Sequence, residues 1–222
     1  LQGEAVYRQS MMDLDRIGRT FERQLSELRN GILDVRMVPL GQVFNKLARI
    51  VRQAAREHDK QVRLVVTGAD TEVDKLIVEE LTDPLMHLVR NAIDHGIEAP
   101  DTRDRTGKRS EGTLALNAYQ KGSNVVIEVE DDGGGMNVYK LRDTAVSRGL
   151  LSSDVSQELT RQELLNLVFL PGLSTSGQVT DLSGRGVGMD VVKTNILRMG
   201  GMISIASEED IGTKITITLP IT

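Results

Sequence analysis

Four short blocks carry residue types that could handle a nucleotide: HLVRNAIDHG (87–96), DDGGGM (131–136), GRGVGMD (184–190) and GTKITI (212–217). In a helix, His87, Asn91, Asp94 and His95 fall at i, i+4, i+7 and i+8 and share one face. Asn is a poor interior helix former, so Asn91 needs a reason. Its amide oxygen suits Mg²⁺, which keeps waters and takes phosphates as its other ligands; an exposed polar patch is the competing reading. Asp131 and Asp132 follow an apolar run and precede Gly133, Gly134 and Gly135. Such a stretch is either a plain turn or a carboxylate that accepts from an exocyclic amine while glycines admit a flat base. The second reading makes Asp131 the recognition group and Asp132 its solvated neighbour. Gly184, Gly186 and Gly188 lead into a helix, where free N–H groups and the positive dipole end favour phosphate. Neither G-x-G-x-x-G nor the Walker A pattern fits: position 189 is Met, and Gly107-Lys108 lacks the earlier glycine because position 102 is Thr.

These residues need elements to hold them. Residues 1–37 read as one long helix with Leu14, Ile17, Phe21, Leu25, Leu28 and Ile32 as an apolar stripe. A lone stripe needs a partner, and self-association is expected ahead of folding back on its own domain. A second helix is expected over about 40–57 and a strand over 61–68. Thr71-Glu72-Val73-Asp74 resembles a capping box opening a helix, and Asp83-Pro84 reads as a helix restart with Asp as N-cap. That helix runs to His95 and stops at Gly96.

Residues 97–112 look like a solvated connection. A hairpin is expected from 113–120 and 124–130, then helices at about 138–148, 160–169 and 187–199, and strands at 203–206 and 214–219. Ser174, Thr175 and Ser176 lie in the Gly- and Pro-rich stretch 170–186, which is a lid that orders around a nucleotide or an ordinary surface loop. Helices and strands mix without strict alternation. The fold class expected is α+β: a two-layer α/β sandwich, a mixed sheet with helices on one face, preceded by the N-terminal helix.

Composition narrows the classes. With 222 residues and 39% hydrophobic content the chain can bury one sizeable core. Aromatics are 3%, so aliphatic side chains must fill it. A net charge of −5 without a long basic tract argues against nucleic acid as partner. The absence of cysteine excludes thiol catalysis and cysteine metal sites. No run approaches the ~20 apolar residues of a bilayer span, so no membrane insertion is expected and a cytoplasmic location fits. The start at Leu1 and the end at Thr222 suggest a piece of something longer.

The four blocks resemble the N box, the two glycine boxes and the terminal Gly-Thr motif of the GHKL (Bergerat) ATP-binding superfamily of gyrase, the large heat-shock chaperone, mismatch-repair ATPases and histidine kinases. More closely, RMVPLGQVF (36–44), TEVDK (71–75), DPLMHLVRNAIDHGIE (83–98), VFLPGLST (168–175) and SGRGVGMDVVK (183–193) resemble the bacterial chemotaxis histidine kinases, the CheA family. The resemblance implies a dimerisation helix over 1–37, as part of a hairpin, and an ATP-binding kinase domain over 38–222. It implies ATP and Mg²⁺, with Asn91 ligating the metal and Asp131 binding the adenine amino group. Gly133 and Gly135 would shape the adenine wall, Met136 and Met189 would pack near the base, and Thr213 would support Asp131 through water. Ser174, Thr175, Gly184, Gly186 and Gly188 would close on the phosphates, with His95 and Lys140 as further contacts. Gly134 stands where an Arg or other side chain is common in the family, and Leu173 where Phe is common.

Position 87 bears on the activity. Chaperone and gyrase members carry a glutamate there as general base for water. A histidine activates water less well when protonated and can contact the γ-phosphate instead. Phosphoryl transfer needs mostly positioning and charge neutralisation. His87 thus implies transfer to a protein acceptor rather than vigorous hydrolysis. His87 and His95 belong to the pocket, and His58 reads as exposed near a helix end, so the acceptor histidine is expected on a separate phosphotransfer domain. Response regulators, a coupling protein and chemoreceptors would be reached through other domains, and a homodimer is expected. A conformational ATPase of the gyrase type and a non-catalytic ATP-binding regulatory module are the alternatives.

Overall fold

The computed structural model describes residues 16–25, 36–173 and 188–221. The chain divides into two compact units, Leu1–Val38 and Pro39–Thr222. In the first, residues 16–25 form helix α1, whose Ile17, Phe21 and Leu25 are exposed. Leu14, Leu28 and Ile32 of the expected stripe lie outside the described residues. A short strand, β1 (Met37–Pro39), follows.

The second unit opens with α2 (Gly41–Glu57), where Val43, Phe44, Leu47, Val51 and Ala54 recur at helical spacing and are buried. Strand β2 (Val62–Thr67) and the short β3 (Glu72–Asp74) lead into α3 (Lys75–Asn91). One wide π turn, Ala92–Gly96, ends that helix, and α4 (Pro100–Arg105) follows. Strands β4 (Gly112–Lys121) and β5 (Asn124–Asp131) form the hairpin, with Gly122 at φ +62° in its two-residue turn. Then come α5 (Val138–Ser147), α6 (Ser153–Glu158), α7 (Arg161–Asn166) with a 3₁₀ turn to Phe169, and α8 (Met189–Arg198). Strands β6 (Met202–Glu208) and β7 (Gly212–Pro220) close the unit.

The main sheet has the order β2-β4-β5-β7-β6. Only β2 and β4 run parallel; the other pairs are antiparallel. Alternation sends Leu114, Leu116 and Ala118 of β4, Ile127 and Val129 of β5, and Ile215, Ile217 and Leu219 of β7 into the core. The register stacks Val129 between Leu116 and Ile215 across three strands. Leu81, Leu85 and Leu88 of α3 and Val192 and Ile196 of α8 fill the helix layer. The mixed two-layer α/β architecture is therefore the expected one.

Three local readings are corrected. Helix α3 starts at Lys75, with Asp74 as N-cap accepting from Leu76 N at 2.8 Å, so neither Thr71 nor Asp83 caps a helix. Pro84 sits inside this single helix and is buried; core packing outweighs the backbone hydrogen bond it removes. The connection 97–112 is not simply solvated: it contains α4, and Arg103 is only 2% exposed. Helix α6 is an addition, a short polar helix without apolar periodicity, capped by Ser152.

Candidate active site

The end of α3 brings the first block to the sheet. In its π turn, Ile97 N donates to Ala92 O at 2.7 Å, five residues back. The wider turn changes which side chains align. Asn91 and His95 line a common cavity, but Asp94 does not. It turns toward the end of α2, where its Oδ1 lies 3.0 Å from His58 Nε2. Lys60 Nζ donates to the carbonyls of Ile93 and Asp94, capping the turn with a cation. The expected face of four residues is thus split: a strict 3.6-residue period does not survive a π turn.

Strand parity places the second block. Ile127, Val129 and Asp131 point to the helix side, so an apolar stripe ends in a carboxylate. Asp131 is 8% exposed. Its Oδ1 accepts from Gly133 N at 2.9 Å. Burial pushes its carboxyl up to about 6, although the N–H groups of Gly133 and Thr213 pull the other way. Thr213 is its cross-strand partner on β7.

The glycines here are spatial requirements. A Cβ on Gly133 would stand 2.1 Å from Gly96 O, and one on Gly135 (φ +65°) 2.0 Å from Glu208 O. Asp132 points away from the cavity: its Oδ1 accepts from Thr113 N at 2.8 Å, and it meets Arg103 Nη2 at 3.2 Å.

Between α3, the sheet and α5 lies a cavity of about 420 Å³. Of the residues singled out from sequence, Asn91, His95, Asp131, Gly135, Met136, Lys140, Met189 and Thr213 line it. Gly133 supports Asp131 from the turn without lining the cavity, and Gly188 is the N-cap of α8. His87 is half-buried one turn before Asn91, outside the lining. Ser174, Thr175, Gly184 and Gly186 lie outside the described residues. Gly96, Val168 and Ile215, which belong to the quoted blocks without being singled out, also line the cavity, as do Asn137, Leu141 and Thr144, which lie outside every block. Behind the lining, Ser207 is a further residue that motif reading missed: its hydroxyl accepts from Met136 N at 2.9 Å and meets the Thr213 hydroxyl at 2.9 Å. Its only sequence signal is an alternating position in a strand of small residues.

The sequence that builds this cavity matches a known family. The model of the histidine kinase-, DNA gyrase B- and HSP90-like ATPases matches residues 80–222. The chain belongs to this ATPase family. Chemotaxis protein CheA of Treponema pallidum is 47% identical over 100% of this chain and 26% of its own length. That of Salmonella typhimurium is 43% identical over 100% of this chain and 35% of its own length. The chain thus spans about a quarter to a third of these relatives. In fold it is similar to the catalytic domain of histidine kinase ThkA, with a TM-score of 0.53 at 17% identity, covering 84% of this chain and 95% of that one.

Among the described residues no cluster of three acidic or histidine side chains could hold a metal alone. The Asn91 Nδ2 donates to Met189 Sδ at 3.3 Å. With the amide nitrogen on the sulfur, the amide oxygen is turned away from it and can face a hard cation. One protein oxygen fits Mg²⁺ that takes its other ligands from phosphates and water. Burial, then the Arg90 charge, lowers the His87 pKa, against opposing pulls from Asp94 and Asp190. These surroundings favour the neutral imidazole.

Proposed function

We propose that this chain is the ATP-binding catalytic core of a chemotaxis-type histidine kinase, which transfers the ATP γ-phosphoryl to a histidine on a separate phosphotransfer domain. The observation that carries the reading is the cavity with Asp131 buried at one side and Asn91 on the facing helix, in a chain 47% identical over its full length to a chemotaxis protein CheA. Asp131 accepts from the adenine amino group, and Gly135 keeps the wall flat beside it. Met136 and Met189 flank the base. Asn91 holds Mg²⁺, which when bound supplies charge neutralisation for the phosphates. His95 and Lys140 contact phosphate oxygens, and His87 donates an N–H toward the γ-phosphate. Ser174, Thr175, Gly184, Gly186 and Gly188 close over the nucleotide. Residues 1–37 contribute to a homodimer, and response regulators, a coupling protein and chemoreceptors are engaged through other domains.

Mixing the chain with a histidine phosphotransfer domain and γ-labelled ATP tests this. Acid-labile label is expected on the added domain and none on the chain itself. Asn91→Asp is expected to abolish transfer; label on the chain alone, or wild-type transfer by Asn91→Asp, contradicts the assignment.

The neutral state of His87 favours one second reading, a conformational ATPase in which the imidazole serves as base for water. It predicts stand-alone ATP turnover that disappears in His87→Ala.

A further inference from the structure

The connection between the π turn and β4 carries two cations outside the cavity lining, Arg103, which is buried, and Lys108, which is part-buried. Arg103 is 2% exposed, and a buried guanidinium is tolerated only when its donors are satisfied. Its Nη1 donates to Glu98 Oε2 at 2.9 Å and to Asp132 O at 3.0 Å, and its Nε to Arg109 O at 2.7 Å. Lys108 Nζ donates to Glu98 Oε1 at 2.8 Å, to Asp132 O at 3.1 Å and to Gly133 O at 2.7 Å. Burial alone would push the Glu98 carboxyl up, but Lys108 and Arg103 hold it below its ordinary value. Two cations sharing one carboxylate therefore grip the backbone carbonyls of the 132–133 turn from behind.

That turn is the base recognition element seen from its other side. Gly133 offers its carbonyl to Lys108 and its N–H to Asp131 Oδ1. One residue thus separates the ammonium from the recognition carboxylate. We propose that Lys108 and Arg103, held together by Glu98, are positioning residues that fix the 131–133 turn and so set the pocket's preference for adenine. The inference rests on reading this cavity as an ATP site. Charge-assisted hydrogen bonds to backbone carbonyls are the strong kind, and the turn has little other slack, since Gly133 lies directly against Gly96.

The test is titration of the whole chain with Mg²⁺-ATP and Mg²⁺-GTP. Guanine carries a carbonyl where adenine carries its amino group, so a displaced Asp131 penalises ATP more than GTP. Lys108→Met is expected to weaken ATP binding about tenfold, to leave GTP binding nearly unchanged, and to reduce the ATP:GTP preference accordingly. Lys108→Arg, which keeps the cation, is expected to restore most of the preference. Lys108→Gln, the second variant should Lys108→Met fail to fold, is expected to give an intermediate loss. A folded Lys108 variant with wild-type ATP affinity and preference, or with equal losses for both nucleotides, overturns the proposal.

Amide exchange in the ligand-free protein is the independent arm. The Gly133 N–H is expected to exchange about tenfold faster in Lys108→Met, with β5–β7 ladder amides unchanged; unchanged Gly133 exchange overturns the bracket. Should the wild-type chain bind neither nucleotide, the reading of the cavity as an ATP site fails, and this arm still decides whether Lys108 holds the turn.

Discussion

Asp131 shows a residue kept at the expense of stability. Its folded pKa of about 6 lies above the usual carboxylate value because burial disfavours the charge. The ionised form therefore destabilises the fold fully above pH 6, and the penalty is relieved as pH falls from 6 toward 4. Removing the charge should stabilise the protein at neutral pH. We predict that Asp131→Asn gains about 2 kcal/mol at pH 7.5 in denaturant unfolding, with the gain lost by pH 4. The same variant should lose adenine binding. In the wild type, ATP affinity should fall as pH is lowered through 6, because a protonated carboxyl is a poorer acceptor for the amine. A pH-independent affinity between 7.5 and 5.5 would remove Asp131 from base recognition.

At the scale of elements, the end of α3 decides the shape of the site. An unbroken α-helix would keep His87, Asn91, Asp94 and His95 aligned. The π turn at Ala92–Gly96 instead sends Asp94 to His58 and presses Gly96 against Asp131, where a Cβ would lie 3.1 Å from both carboxylate oxygens. Lys60 holds this turn by capping two carbonyls. Burial lowers its pKa, against pulls from Asp94 and Glu98. We predict that Lys60→Met lowers the free energy of unfolding by about 1–2 kcal/mol and speeds exchange of the Ile97 amide that closes the turn. Unfolding midpoints and exchange rates within error of wild type would show that the turn holds without the cation.

At the scale of the molecule, the division near residue 38 separates the exposed stripe of α1 from the unit that contains the cavity. All the described cavity residues lie beyond Pro39. A chain of residues 39–222 should therefore fold cooperatively and bind Mg²⁺-ATP within about threefold of the full chain's affinity. Titration calorimetry and a single unfolding transition would check this; loss of binding would mean that the cavity depends on residues 1–38.

Much of the site is legible in the residues themselves, and the reason is local. Asp131 ends an apolar strand and is followed by glycines, so parity and turn chemistry place it at the core side of a sheet end without knowledge of the fold. Asn91 stands out because an interior amide is unfavourable in a helix. The sheet's apolar stripes and the hairpin at Gly122 follow from alternation and from a conformation glycine adopts freely. What the tertiary structure decided depends on groups far apart in sequence. Nothing local marks Ala92–Gly96 as a π turn, because its cap comes from Lys60 and its seat from Asp131. Arg103 and Lys108 lie in a polar stretch that reads as solvated; their burial follows from Glu98 and from the 132–133 carbonyls across the fold. Local chemistry selects which residues can recognise a base, and long-range hydrogen bonding decides where they point.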